Sequence, residues 1–251
     1  MLKICLQENV DESPIWLVLN QLFDVYLPDD LGRFASIRNE LDRHIDFELP
    51  EVVACSASTE TSPAFILSRY LHGEMLDEAH VSDKIIEQLA RHVGKLHQQD
   101  FNHWGKVRRA AFHADLWPEK LLKTLVNLAH RQGIGEPWLG LAIAQIEQVQ
   151  PQTFSLIMPD LRWDQFLHRQ GKITALVDLD AFVIGPREME LVLLEYLLDE
   201  QQAQLFSDIY QRYLDLPDLS NQRLSYRLLL FMMNVLGEIG IDKWMQAPVK
   251  F

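Results

Sequence analysis

Apolar positions in the first quarter of the chain come in short runs. Leu2 to Gln7 and Ile15 to Leu19 flank the turn-forming cluster Asp11-Glu12-Ser13-Pro14 and read as a hairpin. A third short strand is expected over Leu22 to Leu27. Pro28-Asp29-Asp30 then opens a helix from about Leu31 to His44, with acidic side chains near its positive end. Glu51 to Cys55 and Phe65 to Tyr70 read as two more strands. After Gly73 the period lengthens. Ser82 is a natural N-cap, and Ile85, Ile86, Leu89, Val93 and Leu96 follow at helical spacing. Leu121, Leu122, Leu125 and Leu128 mark a second helix, and Trp138 to Val149 a third. Phe154 to Ile157 is a short strand. Phe166 to His168 and Ile173 to Val177 flank Gln170-Gly171, a hairpin turn. From Glu188 onward the pattern is helical, over Glu188 to Leu198, Ala203 to Leu214 and Gln222 to Leu236.

Strands first and helices later predict an α+β fold, with a small sheet-rich lobe over 1–72 and a larger helical lobe over 73–251. The chain has 251 residues, 48% of them hydrophobic, enough for a real core and too many for a disordered chain. Its formal charge of −13 argues against nucleic-acid binding through bulk electrostatics. That charge suits cationic substrates or Mg²⁺-bearing ligands, and equally serves solubility. Cys5 and Cys55 form no CxxC pair and are expected to be buried, reduced thiols. The N-terminus MLKICLQENVDESP lacks the apolar run of a signal peptide, and the longest apolar stretch, Leu228 to Met233, is too short to span a bilayer. A cytoplasmic protein with no membrane contact is expected.

The chemistry concentrates where strand and loop interrupt the helical half. Asp160 follows one apolar strand, Asp178 and Asp180 follow another as a DxD, and Asp164 lies in the loop between. Two strand ends that each deliver a carboxylate can meet and hold a hard cation such as Mg²⁺ through oxygen. Strands also end in Asp-rich turns for purely structural reasons, which is the better account of Asp164 alone. For the set, burial beside an apolar strand makes uncompensated carboxylates expensive.

The segment MPDLRWDQFLHRQGKITALVDLDAFVIGPREMEL resembles the catalytic core of the aminoglycoside phosphotransferase and choline kinase-like family, a branch of the protein-kinase-like fold. The family pattern is HGDxxxxN, a hairpin, an apolar strand ending in D-x-D/E, then G-D/P and a helix with an acidic residue. The resemblance implies that Asp160 is the catalytic aspartate, and that Gln165, Asp178 and Asp180 are the metal-binding residues. Gly185, Pro186 and Glu190 match the tail. Upstream, IIEQLARHVGKLHQQDFNHWG resembles the family's helix ending in L-x-x-L-H, and FILSRYLHGEML its last strand and hinge. The implied fold is two-lobed, with the four residues in the cleft. The implied activity is Mg²⁺- and ATP-dependent phosphoryl transfer to a hydroxyl of a small, hydroxylated or amine-bearing acceptor.

Several positions depart from the pattern. Met158 stands where the family has His, and Gln165 where it has Asn, one methylene longer. The first glycine is Gly32, so no Gly-rich loop precedes it, and no lysine lies between Lys3 and Lys84. Lys3 could grip phosphates only if the chain began at the family's third strand. Arg33 and Arg38 are alternative cations, more simply read as solvated. Glu40 occupies the place of the lysine's partner glutamate. These departures leave a rival open: a non-catalytic, pseudokinase-like binding or scaffold protein. A metal-dependent hydrolase built on the Asp cluster is a third reading. His92, His97 and His103 lack i, i+4 spacing and read as structural. Trp104, Trp163 and Trp244 could bind a cationic amine, with packing the simpler role. No Gly-x-Ser-x-Gly or HExxH occurs.

Overall fold

A computed structural model of the chain describes residues 1–146, 148–151, 153–237 and 239–251. The chain opens with β1 (Leu2–Cys5), α1 (Gln7–Glu12), α2 (Pro14–Phe23), α3 (Leu27–Asp30), α4 (Phe34–Leu41), β2 (Val52–Ser56), β3 (Ala64–Ser68) and β4 (Glu74–Met75). It continues through α5 (Asp83–His97), β5 (Gly105–Lys106), α6 (Trp117–Gln132), α7 (Trp138–Ile146) and β6 (Ser155–Ile157). After these come β7 (Phe166–Arg169), β8 (Lys172–Leu176), β9 (Val183–Gly185), α8 (Arg187–Leu197), α9 (Glu200–Tyr210), α10 (Arg223–Met232) and α11 (Ile241–Met245).

The N-terminal hairpin and third strand that the apolar runs predict do not form. Ile15, Val18, Leu19, Leu22 and Phe23 recur at i, i+3, i+4, i+7 and i+8, which is one helix face. Pro14 occupies the first helical turn, where its missing N–H costs nothing. Asp24 closes α2 in the left-handed region, at φ 62°. Phe23 then inserts between Trp104 and Trp117, with ring centroids 6.0 and 5.8 Å away. α2 therefore packs into the same core as the C-terminal helices. The helix expected over Leu31 to His44 is shorter, a 3₁₀ turn at Leu31–Arg33 followed by α4. The third expected helix ends at Ile146 rather than Val149, and residue 147 lies outside the described residues.

Three small antiparallel sheets frame the cleft, ordered β1-β3-β2, β4-β7-β8 and β5-β9-β6. In the first, Leu2 pairs with Leu67 and Cys5 with Ala64, which turns Lys3 toward the rest of the molecule. In the second, Gln170 and Gly171 both have positive φ, 50° and 69°, the geometry of a tight two-residue hairpin. That turn fixes the register of Phe166 against Leu176 and so sets where the chain leaves β8 toward Asp178. Glu48 pairs in parallel with Ala175, tying the segment before β2 to the same strand. Cys5 is buried as expected, but Cys55 is only half-buried. Among the described residues, no helix is long and apolar enough to cross a membrane.

Candidate active site

Asp160 lies in the turn that follows β6, closed by the Leu161 amide donating to the Met158 carbonyl at 3.1 Å. Its carboxyl is buried. Oδ2 accepts from Gln165 Nε2 at 3.1 Å, while Oδ1 has no partner among the described residues. The same Gln165 amide nitrogen donates to the Asp160 carbonyl, and its Oε1 accepts from the Arg162 amide at 2.8 Å. A carbonyl can only accept and an amide N–H only donate, so these partners fix which way the Gln165 amide points. Its oxygen is engaged by Arg162 rather than turned to the acidic cluster. The Gln165 carbonyl in turn accepts from the Val177 amide at 2.9 Å, joining the Asp160 loop to the segment that carries Asp178.

Lys3 closes the site from β1. Its Nζ lies 3.1 Å from Asp178 Oδ1 and 2.6 Å from Asp180 Oδ2. The sequence left Lys3 as a conditional candidate, and the structure puts its ammonium on the DxD. Burial alone would lower the Lys3 pKa, but Asp180 and Asp178 outweigh it and hold the ammonium above the ordinary lysine range. Burial, reinforced by the charge on Asp178, pushes the Asp160 carboxyl up to about 7. The DxD carboxyls split. Burial and Asp178 push Asp180 up despite Lys3, whereas a hydrogen bond from Asp180 and the Lys3 charge hold Asp178 below its usual range against its own burial. The proton goes to the carboxyl that water reaches least. The Asp180 side chain is 4% exposed and that of Asp178 39%.

Asp178 and Asp180 thus share one ammonium, Asp160 feels the Arg162 and Lys3 charges without pairing with either, and its buried Oδ1 has no partner among the described residues. An excess of hard oxygen donors over positive charge fits a hard divalent cation. Among the described residues, no three His, Cys, Asp or Glu side chains converge to enclose a metal. Asp178 and Asp180 would supply two oxygens, in keeping with Mg²⁺, which commonly takes one or two carboxylates and completes its shell with water and phosphate.

A second network fixes the Asp160 loop from behind. Glu190 of α8 is fully buried, and its Oε1 accepts from the Met158 amide at 3.0 Å. Its Oε2 lies 2.7 Å from His97 Nε2, and His97 Nδ1 lies 3.0 Å from the Tyr210 hydroxyl. Ser155 donates to the His97 carbonyl at 2.9 Å. Met158 cannot brace the loop through its side chain, but its backbone amide is held by Glu190.

A cleft cavity of about 370 Å³ runs between the first sheet and the DxD segment. Leu2, Lys3, Ile66 and Ser68 line one side, and Arg162, Gln165, Asp178 and Asp180 line the other. Asp164 pairs with Arg162 at 3.1 Å and points to the cleft mouth. Glu40 does not meet Lys3. It pairs with Arg43 and Arg108 at 3.0 and 3.1 Å. Arg38 pairs with Asp42 at 3.1 Å. The histidines are structural: His92 is buried against Phe47, His97 belongs to the brace, and His103 rests on His113. Burial pushes His92 down to about 3, so it is neutral. Trp104 and Trp163 are buried, and Trp244 stacks on Tyr196 at 3.8 Å. Arg162 and the link from Glu190 to Met158 escaped the sequence reading, because each depends on backbone partners that no motif specifies.

The family model for the phosphotransferase enzyme family matches residues 17–224. No curated protein matches the sequence. Among solved structures, a candidate fructosamine-3-kinase from Haemophilus somnus 129PT superposes with a TM-score of 0.62 at 14% identity, over 98% of this chain and 80% of that one. A thermostable mutant of aminoglycoside phosphotransferase APH(4)-Ia, in a ternary complex with AMP-PNP and hygromycin B, gives 0.60 at 16% identity, over 88% and 84%. A macrolide 2'-phosphotransferase from Brachybacterium faecium gives 0.55 at 15%, over 89% and 83%. At these identities the likeness establishes the fold, a two-lobed α+β kinase-like architecture.

Proposed function

This chain belongs to the phosphotransferase enzyme family, and we propose that it transfers the terminal phosphoryl group of ATP to a hydroxyl of a small molecule. The observation that carries the reading is Lys3 reaching across the cleft to Asp178 and Asp180, beside the buried carboxyl of Asp160. Lys3 would steady the phosphates, and Asp178 and Asp180 would hold Mg²⁺. That ion supplies neutralisation of the phosphate charge when bound. Asp160 would orient the acceptor hydroxyl and take its proton as the new O–P bond forms and the bond to ADP breaks. Gln165 would hold Asp160 in place through Oδ2. The rate would come from positioning and charge neutralisation.

The relatives named above point to amine-bearing sugars and macrolides as the first acceptors to try, and the charge of −13 suits a cationic acceptor. The test follows labelled γ-phosphate from Mg·ATP onto a panel of an aminoglycoside, a macrolide and a fructosamine. Transfer that Asp160→Asn lowers by about 10²-fold or more supports the reading. Absence of transfer to every class, despite nucleotide binding, favours a second reading, a binding protein that keeps the cleft without turnover. One observation favours that alternative: the Gln165 oxygen is engaged by the Arg162 amide rather than turned to the acidic cluster.

A further inference from the structure

A second cavity, of about 210 Å³, shares Phe34 and Asp180 with the cleft but is otherwise walled by different elements. Its floor is apolar, built from Leu27 of α3, Phe34 and Ile37 of α4, and Phe182 just before β9. Four cations surround it: Arg33, Lys106, Arg108 and Arg109. In a chain with 36 acidic and 23 basic residues, this is a local reversal of sign.

The four cations are not equivalent. Lys106 is taken up by Asp30 at 3.0 Å and Asp24 at 3.6 Å, and Arg108 by Glu40 at 3.1 Å. Those pairs offset their charge and stiffen the wall. The Arg33 and Arg109 guanidinium groups have no hydrogen-bond or ion-pair partner among the described residues. Two uncommitted planar donors at the rim of an apolar hollow form a combination that recognises a carboxylate or a phosphate at one end of a greasy body. Asp180, buried in the wall, is taken up by Lys3 and offers no cation to an acid group at the inner end. An engineered cavity of ~150 Å³ holds benzene, so about 210 Å³ accepts one ring with a short substituent.

We propose that this cavity is a binding site for a small anion with a single-ring or short branched apolar body, its acid group on Arg33 and Arg109 and its body against Phe34, Ile37 and Phe182. The site adjoins the cleft through Phe34 and Asp180, has its own walls elsewhere, and needs no nucleotide to fill.

Calorimetric titration with phenyl phosphate and with benzoate tests it, with benzylamine and phenol as charge controls. The site predicts saturable one-to-one binding of one or both anions, and at least tenfold weaker binding of benzylamine. Which anion binds more tightly distinguishes a phosphate ligand from a carboxylate ligand. The double variant Arg33→Ala, Arg109→Ala should weaken anion binding at least tenfold with an unchanged melting temperature, since neither side chain has a partner to lose. Ile37→Trp, which fills the floor, should abolish it, and Asp164→Asn at the cleft mouth should leave it intact. Anions that bind no better than benzylamine would overturn the proposal. So would wild-type affinity in the double variant, which would place the anion in the cleft instead.

Discussion

Two polar networks meet at the Asp160 loop, one lining the cleft and one buried behind it, and they are built to opposite rules. In the brace, both oxygens of Glu190 have partners and both ring nitrogens of His97 are engaged. In the acidic cluster, Asp178 and Asp180 share one lysine, and Asp160 Oδ1 has no partner among the described residues. A satisfied network in a low-dielectric interior fixes geometry, whereas a half-satisfied one stores unfavourable electrostatic energy that an arriving cation can relieve. The first holds the Asp160 loop still, and the second, under the proposed function, receives the cation.

The difference can be broken most severely from the brace side. Glu190→Ala strands the Met158 amide and His97, and is expected to cost about 3–5 kcal/mol, read as a lower urea midpoint with an unchanged slope. The cluster should respond in the opposite direction. Asp160 has its folded pKa raised to about 7, above the unfolded value of 3.8. The folded state therefore binds the proton more tightly, its stabilising contribution is complete below pH 4, and it is lost as the pH rises to about 7. Asp160→Asn removes that loss, so the variant should match the wild type near pH 4 and exceed it by about 2–4 kcal/mol at pH 8. Melting temperatures across that range check the sign, and a gap that shrinks with rising pH would contradict it. Lys3→Met removes the ammonium that pairs with Asp178 and Asp180. Because Lys3 is part-exposed, the expected cost at pH 7 is about 1 kcal/mol, measured by thermal denaturation. Arg162→Ala loses an exposed pair with Asp164 and should change stability by less than ~0.5 kcal/mol.

Legibility in the sequence divides along the same line as locality. The Gln170-Gly171 hairpin, α5 after Ser82 and α8 are local patterns that fold as their periods predict, whereas α9 and α10 stop at Tyr210 and Met232, short of the expected Leu214 and Leu236. α2 was misleading because the short run from Ile15 to Leu19 reads as strand until Leu22 and Phe23 are counted onto the same helix face. The carboxyls of the site lie on strand ends that the pattern exposes. Their partners do not, since Lys3 meets Asp178 across 175 positions and His97 meets Glu190 across 93. Only the resemblance singled out His97 and Glu190, and their contact with the backbone of Met158 needed coordinates.

The central claim is that the acidic cluster receives a Mg²⁺-bearing nucleotide, and calorimetric titration with Mg·ATP tests it most directly. The account predicts saturable binding by the wild type that is lost when Mg²⁺ is chelated and lost in Asp178→Ala. No heat at millimolar Mg·ATP, or equal affinity in Asp178→Ala, would contradict it.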